Sequence, residues 1–516
     1  MTKSKWIFAF LLFFIVSSCI VLHVFMITNV DAKWYLILAD KLLHGEVYYH
    51  DAFEMDPPLI ILYSMPFVVI GHFFSIDSYV LLSISIYILM LALLYVHYKL
   101  LSVIFRNNPR SIFCFLIFIS IAEFTFSYLA FLEREQLMLV LFLPYLLLTV
   151  IDCEKQAEVS VSFRVCIAIL AALGLALKPY FVLPWVLIEV YRAIKLNKFL
   201  SFFRLETCVM MTYFILYLIV VALFFREYYT KIFILGSALY VPFCNTLPFR
   251  EIFFSAISFM GFAALPISML YVFLNKKSTF VMVFLLAGLG CLLMALYARQ
   301  QTYYHFYPAI AINAMLFLMM VYFSFNALNL SFNKSMFWVF QKSIFLLISI
   351  IGFLVLLQVM FWASFSLAYT DYFDRQKKMY LDALSICSEQ NKSPTILLVS
   401  NFMLPTVLGE ERQMKMTSRF VNALLFQGIT ALDRLGKVDK SQYYQQQFFK
   451  LINEDLQRRP PTCIIFDKTG YWLQLDSNYI QKDFLPFLMQ DTQFKQLFLT
   501  FKGRVSTQLM DVYTTH

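Results

Sequence analysis

The sequence predicts a polytopic α-helical membrane protein of about eleven transmembrane helices, with a small C-terminal extracytoplasmic α/β domain. Three observations predict it. Of 516 residues, 61% are apolar and only 14% are charged, whereas an ordinary soluble domain carries about a quarter charged residues. Apolar runs long enough to span a bilayer recur, separated by short clusters of bases. Beyond residue 365 the composition then turns polar. With a mean hydropathy of +0.72, these features exclude a soluble enzyme, a disulfide scaffold and a disordered chain. The formal charge of +9 sits in loops between apolar runs. It therefore reads as a positive-inside signal, and the lipid bilayer, not nucleic acid, is the expected partner. Fifty-eight Phe and 31 Tyr suit a chain that meets both lipid and its headgroup interface.

The first span, about Trp6 to Ile27, follows Lys3 and Lys5, which places the N-terminus in the cytoplasm. Val16-Ser17-Ser18-Cys19 looks like a lipoprotein cleavage box, but the apolar run continues to Ile27, so a retained helix is expected. Residues 28–77 then form an external loop with surface helices. Its polar section runs from Asp31 to Asp56. The apolar piece Leu59 to Phe74, broken by Pro66 and Gly71, is expected to lie along the membrane surface. Further spans are read near 78–98, 111–130, 136–151, 163–178, 180–193, 207–225, 250–273, 279–297, 306–325 and 343–365. The loops this assigns to the cytoplasm carry Arg106 and Arg110; Lys155 and Arg164; Arg192, Lys195, Lys198 and Arg204; Lys276 and Lys277; Lys334 and Lys342. An odd number of spans leaves residues 366–516 outside. The division is thus 1–365 for a transmembrane catalytic domain and 366–516 for an extracytoplasmic α/β domain.

In that last region Thr395–Ser400 and Cys463–Asp467 are β-branched, apolar strand candidates. Asp382–Cys387, Phe420–Leu432 and Gln445–Leu456 read as helices. The nine cysteines form no metal or redox spacing; Cys19, Cys114, Cys166, Cys208 and Cys291 fall inside apolar runs. Cys387 and Cys463 lie in the polar region, where a disulfide between them requires an oxidising compartment. No His/Cys spacing suits a metal, so the metal site is left unknown and any divalent cation would be held by carboxylates.

Polar groups carry most of the functional information in so apolar a chain, and they gather on the outer face. The first external loop reads Asp31-Ala-Lys33-Trp-Tyr35, Asp40-Lys41, Gly45-Glu46, Tyr48-Tyr49-His50-Asp51, Glu54 and Asp56-Pro57-Pro58-Leu59. Asp31 stands at the end of the first span, where partial desolvation raises a carboxylate toward a usable base. An interfacial anchor is the plainer reading of that residue. Pro57-Pro58 ends local structure and returns the chain to the membrane, and Gly45 permits a tight turn. Three more external features join it: Glu133-Arg134-Glu135, Lys178-Pro179-Tyr180, and Arg299 with Tyr303, Tyr304 and His305. A self-paired charge cluster, a snorkelling cation and an aromatic belt are their plainer readings. Outside the cytoplasm there is no ATP or nucleotide sugar, so an enzyme there must draw its activated group from a donor in the membrane. Cations at the lipid boundary with a carboxylate nearby suit a lipid-phosphate donor, whose phosphate they would stabilise as it leaves.

Asp31-Ala-Lys-Trp-Tyr35, Ala39-Asp-Lys-Leu-Leu-His-Gly45, Tyr48-Tyr49 and Pro57-Pro58-Leu59 together resemble the first external loop of GT-C glycosyltransferases. The nearest kinds are bacterial protein mannosyltransferases and lipid A aminoarabinose transferases. Lys178-Pro179 and Tyr304–Pro308 look like helix ends that line the family's cavity. The resemblance implies an integral membrane enzyme of the bacterial inner membrane that moves a sugar from a polyprenyl-phosphate carrier to a saccharide, lipid or protein acceptor. By it Asp31 matches the catalytic acid and would act as general base. The aminoarabinose enzymes carry a lysine just before the double proline, where this chain has Asp56. Donor-phosphate binding therefore moves to Lys178, Arg299 or Arg134. Tyr35, Glu54, Asp56, Glu133, Tyr304 and His305 are the substrate-binding candidates. A second acid beside the first, common in the family, is replaced here by Ala32. Two other functions stay open: a transporter or flippase of a lipid-linked saccharide, for which Glu123 is the main charged residue inside a span, and a polysaccharide polymerase or ligase.

Overall fold

The computed structural model describes residues 29–106, 108–127, 130–155, 159–197, 202–244, 279–299, 303–329, 380–389, 394–400, 415–420, 424–467, 484–506 and 510–515, with single positions at 17, 250, 253, 269 and 378. The spans expected at 6–27 (Ser17 apart) and 343–365, and nearly all of 250–273, lie outside the described residues, as does Cys19. The chain is mostly helical and divides into two compact units, one of residues 1–29, 76–220 and 247–368, the other of 30–75, 221–246 and 369–516.

In the first unit the local chemistry marks the helix starts. Asp77 caps Ser78–Ile104, its Oδ1 accepting from the backbone N–H of Tyr79 and Val80 at 2.7 and 3.2 Å. Asn108 caps Pro109–Ser120 in the same way, with proline at the first helical position. That helix runs on into a π-turn, Ile121–Thr125. Wider winding offsets carbonyls from the helical ladder. Hydroxyls from the helix Tyr303–Asn329 meet this stretch: Tyr307 donates to Ala122 O at 3.0 Å and Tyr303 to Phe126 O at 2.7 Å. Arg134–Cys153 is buried almost end to end, so it is the central helix of this unit. Val161–Leu175 packs on it where Gly174 would set a Cβ 3.1 Å from Met138 and Leu141. Gly290 of Thr279–Ala298 lies against Pro184 of Val182–Leu196, where a Cβ would fall 2.5 Å from the proline Cα. Small residues at such crossings let helix backbones approach.

Four described helices are long and apolar enough to cross a membrane: Ser78–Ile104, Arg134–Cys153, Leu205–Phe224 and Thr279–Ala298. Each coincides with an expected span. At one end of the bundle a dense ionic network joins several loops and helix ends. Arg164 pairs with Asp152 at 2.8 Å and with Glu206, while Arg204 and Arg192 both pair with Glu189, at 2.8 and 3.0 Å. These are the bases expected to face the cytoplasm, and here they are fixed by three acids instead of lying free in loops.

The second unit gathers the first external loop, a helical segment after residue 225 and the polar C-terminal region. Val30–Leu43 is a helix ended by Gly45 in the left-handed region (φ 82°). Leu59–Phe74 is a second helix, entered through Pro58. The C-terminal sheet has the order β2-β1-β3-β5-β4, from Thr395–Val399 (β1), Lys415–Met416 (β2), Cys463–Asp467 (β3), Gly503–Ser506 (β4) and Met510–Thr514 (β5). β1 runs parallel to β2 and β3, whereas β5 is antiparallel to β3 and β4. Ile396, Leu398, Ile465, Met510 and Val512 bury one sheet face against Tyr380, Ala383 and Leu384. Cys387 and Cys463 are joined by a disulfide across this core.

The two strands read from the sequence are β1 and β3. The three helices expected here are seen at 380–389, Leu424–Arg434 and Val438–Arg458. Not anticipated were β2, β4 and β5, and Phe233–Cys244 after a segment taken for a loop; Val30–Leu43 and Leu59–Phe74 lie where surface helices were expected within residues 28–77. Gly428 of Leu424–Arg434 lies against Phe233–Cys244, where a Cβ would fall 2.5 Å from Leu239 O.

Candidate functional site

Two groups of predicted residues come together, one in each unit. In the second unit, Asp31 occupies the first turn of Val30–Leu43 and is partly buried. A carboxylate there is favoured as the anion by the helix dipole. One helical turn on, Trp34 and Tyr35 point at the returning loop. Trp34 Nε1 donates to Glu54 Oε2 at 2.7 Å, and the other Glu54 oxygen accepts from the Asp56 backbone N–H at 2.9 Å. Tyr35 donates its hydroxyl to Asp56 Oδ2 at 2.9 Å, and Tyr48 donates to Glu54 O at 2.9 Å. Tyr35, Glu54 and Asp56, three of the substrate-binding candidates, thus form one hydrogen-bonded cluster that fixes the loop on the Asp31 helix. Glu54 is nearly buried (9% exposed) and both its oxygens are engaged, so its first role is to hold the loop.

The far side of the same loop is fixed by arginines of the C-terminal region, which the sequence did not single out. Arg419 donates from Nε to Asp455 Oδ1 at 2.8 Å and from Nη1 to Tyr49 O at 3.3 Å, while its own carbonyl accepts from Phe53 N at 3.0 Å. Burial alone would lower the Arg419 guanidinium, but its bonds to Asp455 raise it above its ordinary value, so it stays charged. Arg458 and Arg459 add pairs to Asp51 at 2.9 and 3.0 Å.

In the first unit, Glu133-Arg134-Glu135 opens the central helix. Leu132, in the left-handed region at φ 66°, turns the chain, and its N–H is taken by Gln136 Oε1 at 2.8 Å. Glu133 accepts from Asn29 Nδ2 at 2.8 Å. Glu135 Oε1 takes two partners: Lys178 Nζ at 2.7 Å and His305 Nδ1 at 2.8 Å. All three are buried, as is Arg134, which lies within electrostatic reach of Glu135 and His305. Lys178 sits just before the short 3-10 turn Pro179–Phe181 and over three rings, Tyr180, Phe181 and Tyr304, at 5.7–6.0 Å. His305 packs on Tyr304 with ring centroids 4.3 Å apart. The preceding helix ends at Leu175, and Lys178, held extended before Pro179 (φ −143°, ψ 140°), stands between the two helical segments.

Five site candidates therefore meet there, namely Glu133, Arg134, Lys178, Tyr304 and His305, organised by Glu135. Water-excluded cations beside aromatic walls suit an anion whose charge grows during reaction. Arg299 differs: it ends Thr279–Ala298 in the left-handed region (φ 50°) and is half-buried. Glu123 lies in the π-turn, fully buried, with His97 Nδ1 4.0 Å away. His97 is a partner that sequence reading missed, since nothing in a lone histidine inside an apolar run announces it.

The fold defines the class: a largely helical membrane protein, with helices among the described residues long and apolar enough to cross a bilayer. Over its whole length the chain is similar to the crystal structure of ArnT from Cupriavidus metallidurans bound to undecaprenyl phosphate. The TM-score is 0.53, with 100% of this chain and 99% of that one covered at 11% identity. The likeness is one of fold. No protein-family profile matches the chain, and no curated protein matches it in sequence.

Proposed function

We propose that this protein is an inner-membrane glycosyltransferase that moves a sugar from a polyprenyl-phosphate carrier to an extracytoplasmic acceptor with inversion. The observation that carries the reading is the end-to-end fold likeness to a protein solved with undecaprenyl phosphate bound. The buried Glu135–Lys178–His305 cluster supports it, because a phosphate leaving group needs preorganised cations. Asp31 takes the proton from the acceptor hydroxyl. The freed oxygen attacks the anomeric carbon, the bond from that carbon to the phosphate oxygen breaks, and polyprenyl phosphate leaves with the electron pair. Lys178 and Arg134, with Arg299 as a further candidate, receive the phosphate charge. Tyr35, Asp56, Glu133, Tyr304 and His305 shape the substrate pockets, and Glu54 holds the loop that carries Asp56. The acceptor is a lipid, glycan or protein. A divalent cation, if the reaction uses one, would sit among the carboxylates.

The test is transfer of label from a panel of radiolabelled polyprenyl-phosphate sugars by purified protein, with Asp31→Asn as the paired control. A general base contributes about 10²–10⁴-fold, so the variant should lose at least that much. The transporter reading draws on the buried His97–Glu123 pair, a carrier-like feature. Relocation of labelled lipid across vesicles without transfer would favour it.

A further inference from the structure

Asp40, His44 and His72 form a cluster that neither the sequence pattern nor the proposed chemistry uses. Asp40 and His44 are one helical turn apart at the end of Val30–Leu43, so both project on one side. His72 comes from the last turn of Leu59–Phe74, which packs against that helix. The three ligand atoms all lie within 4.8 Å of one another. His72 Nε2 is 3.0 Å and His44 Nδ1 3.5 Å from the same oxygen, Asp40 Oδ1. That oxygen is shut off from solvent yet accepts no hydrogen bond. Two imidazole nitrogens thus face one carboxylate oxygen without the geometry of donation.

A tetrahedral zinc ion with bonds of about 2.0–2.2 Å sets its ligand atoms about 3.3–3.6 Å apart. Of the two separations to Asp40 Oδ1, that of His44 at 3.5 Å falls within this spacing and that of His72 at 3.0 Å lies a few tenths below it. The third edge closes by rotation of His44, whose side chain is 64% exposed. To present its lone pair, His44 Nδ1 gives up its 2.9 Å bond to Asp40 O, an exposed bond that coordination replaces. Two imidazoles and one carboxylate suit zinc over calcium or magnesium, which prefer oxygen.

We propose that Asp40, His44 and His72 bind one zinc ion, which pins the end of the Asp31 helix to the end of Leu59–Phe74. The site leaves a fourth position open to water. It stands independently of the transferase reading, because its test counts metal and not turnover.

Protein without a histidine tag is stripped with EDTA, dialysed against graded zinc chloride and analysed for bound zinc by mass spectrometry. Gel filtration checks that each variant is intact. Wild type should hold one zinc per chain more than His44→Ala or His72→Ala. Asp40→Asn should weaken the ion by about 10–100-fold or more, the range seen even for groups that only support a ligand. His50→Ala, at a histidine outside the cluster, should keep it. Equal zinc in wild type and both alanine variants would overturn the proposal, as would wild type that takes up none.

Discussion

Glu135 decides what Lys178 can do. One carboxylate oxygen holds both the lysine and His305, so the lysine side chain is fixed and kept from water. Removing one partner of a buried pair leaves the other charge uncompensated and costs about 3–5 kcal/mol. Glu135→Gln should therefore lower the unfolding temperature in detergent as well as activity. Lys178→Ala should chiefly raise the KM for the donor or cut turnover by about 10²–10³-fold. Equal losses toward donor and acceptor would mean that Lys178 only holds the helices. Lys178 itself was legible, because Pro179 breaks an apolar run directly after a cation. Its partner was not, since Glu133-Arg134-Glu135 offers two acids and a base that could as well pair among themselves. The choice is made by the packing of three distant helices, which short spacing does not encode.

At the scale of elements, the bond between Trp34 and Glu54 ties the Asp31 helix to the loop that returns through Pro57-Pro58. Trp34→Phe keeps the ring and removes the donor, so a buried carboxylate loses this hydrogen bond. A loss of about 1–3 kcal/mol is expected, read as faster proteolysis of the 44–56 loop with little change in Leu59–Phe74. Helix crossings can be tested through glycine. Gly290→Ala drives a methyl into Pro184, and Gly428→Ala drives one into Leu239 O, each 2.5 Å away. Overpacking of this kind costs about 1–3 kcal/mol, measurable as a drop in Tm. Long apolar helices were plain in the sequence because their signal is summed over some twenty residues. Val30–Leu43 was legible through the resemblance of its loop and not through apolar spacing, because Asp31, Lys33, Asp40 and Lys41 interrupt the apolar positions around its buried face of Ala32, Trp34, Tyr35, Leu36, Leu38 and Ala39. Strands β4 and β5 are short and polar on one side, which leaves little period to detect.

For the whole molecule, the second unit joins segments more than 300 residues apart. The external loop meets the C-terminal region through Arg419, Arg458 and Arg459, and no local pattern could have announced that. Arg419→Ala should therefore loosen both partners at once: the 44–56 loop and the helix Val438–Arg458 would gain hydrogen exchange together. Change in only one of them would contradict a shared unit. The Cys387–Cys463 disulfide spans 76 residues, a closure worth about 4 kcal/mol in the chain-entropy account. It demands an oxidising compartment, in keeping with the extracytoplasmic side assigned to residues 366–516. In membranes from intact cells these two thiols should resist maleimide until a reductant is added. Labelling without reductant would place this region in the cytoplasm or break the pairing.

The most direct test of the central claim is label transfer from polyprenyl-phosphate sugars by the purified protein beside Asp31→Asn. The account predicts that at least one donor passes its sugar to an acceptor in the wild type, and that the variant, folded and membrane-inserted, transfers none above about one part in a hundred. Transfer at the wild-type rate by Asp31→Asn would contradict the assigned base. No turnover of any donor by intact protein would contradict the transferase itself.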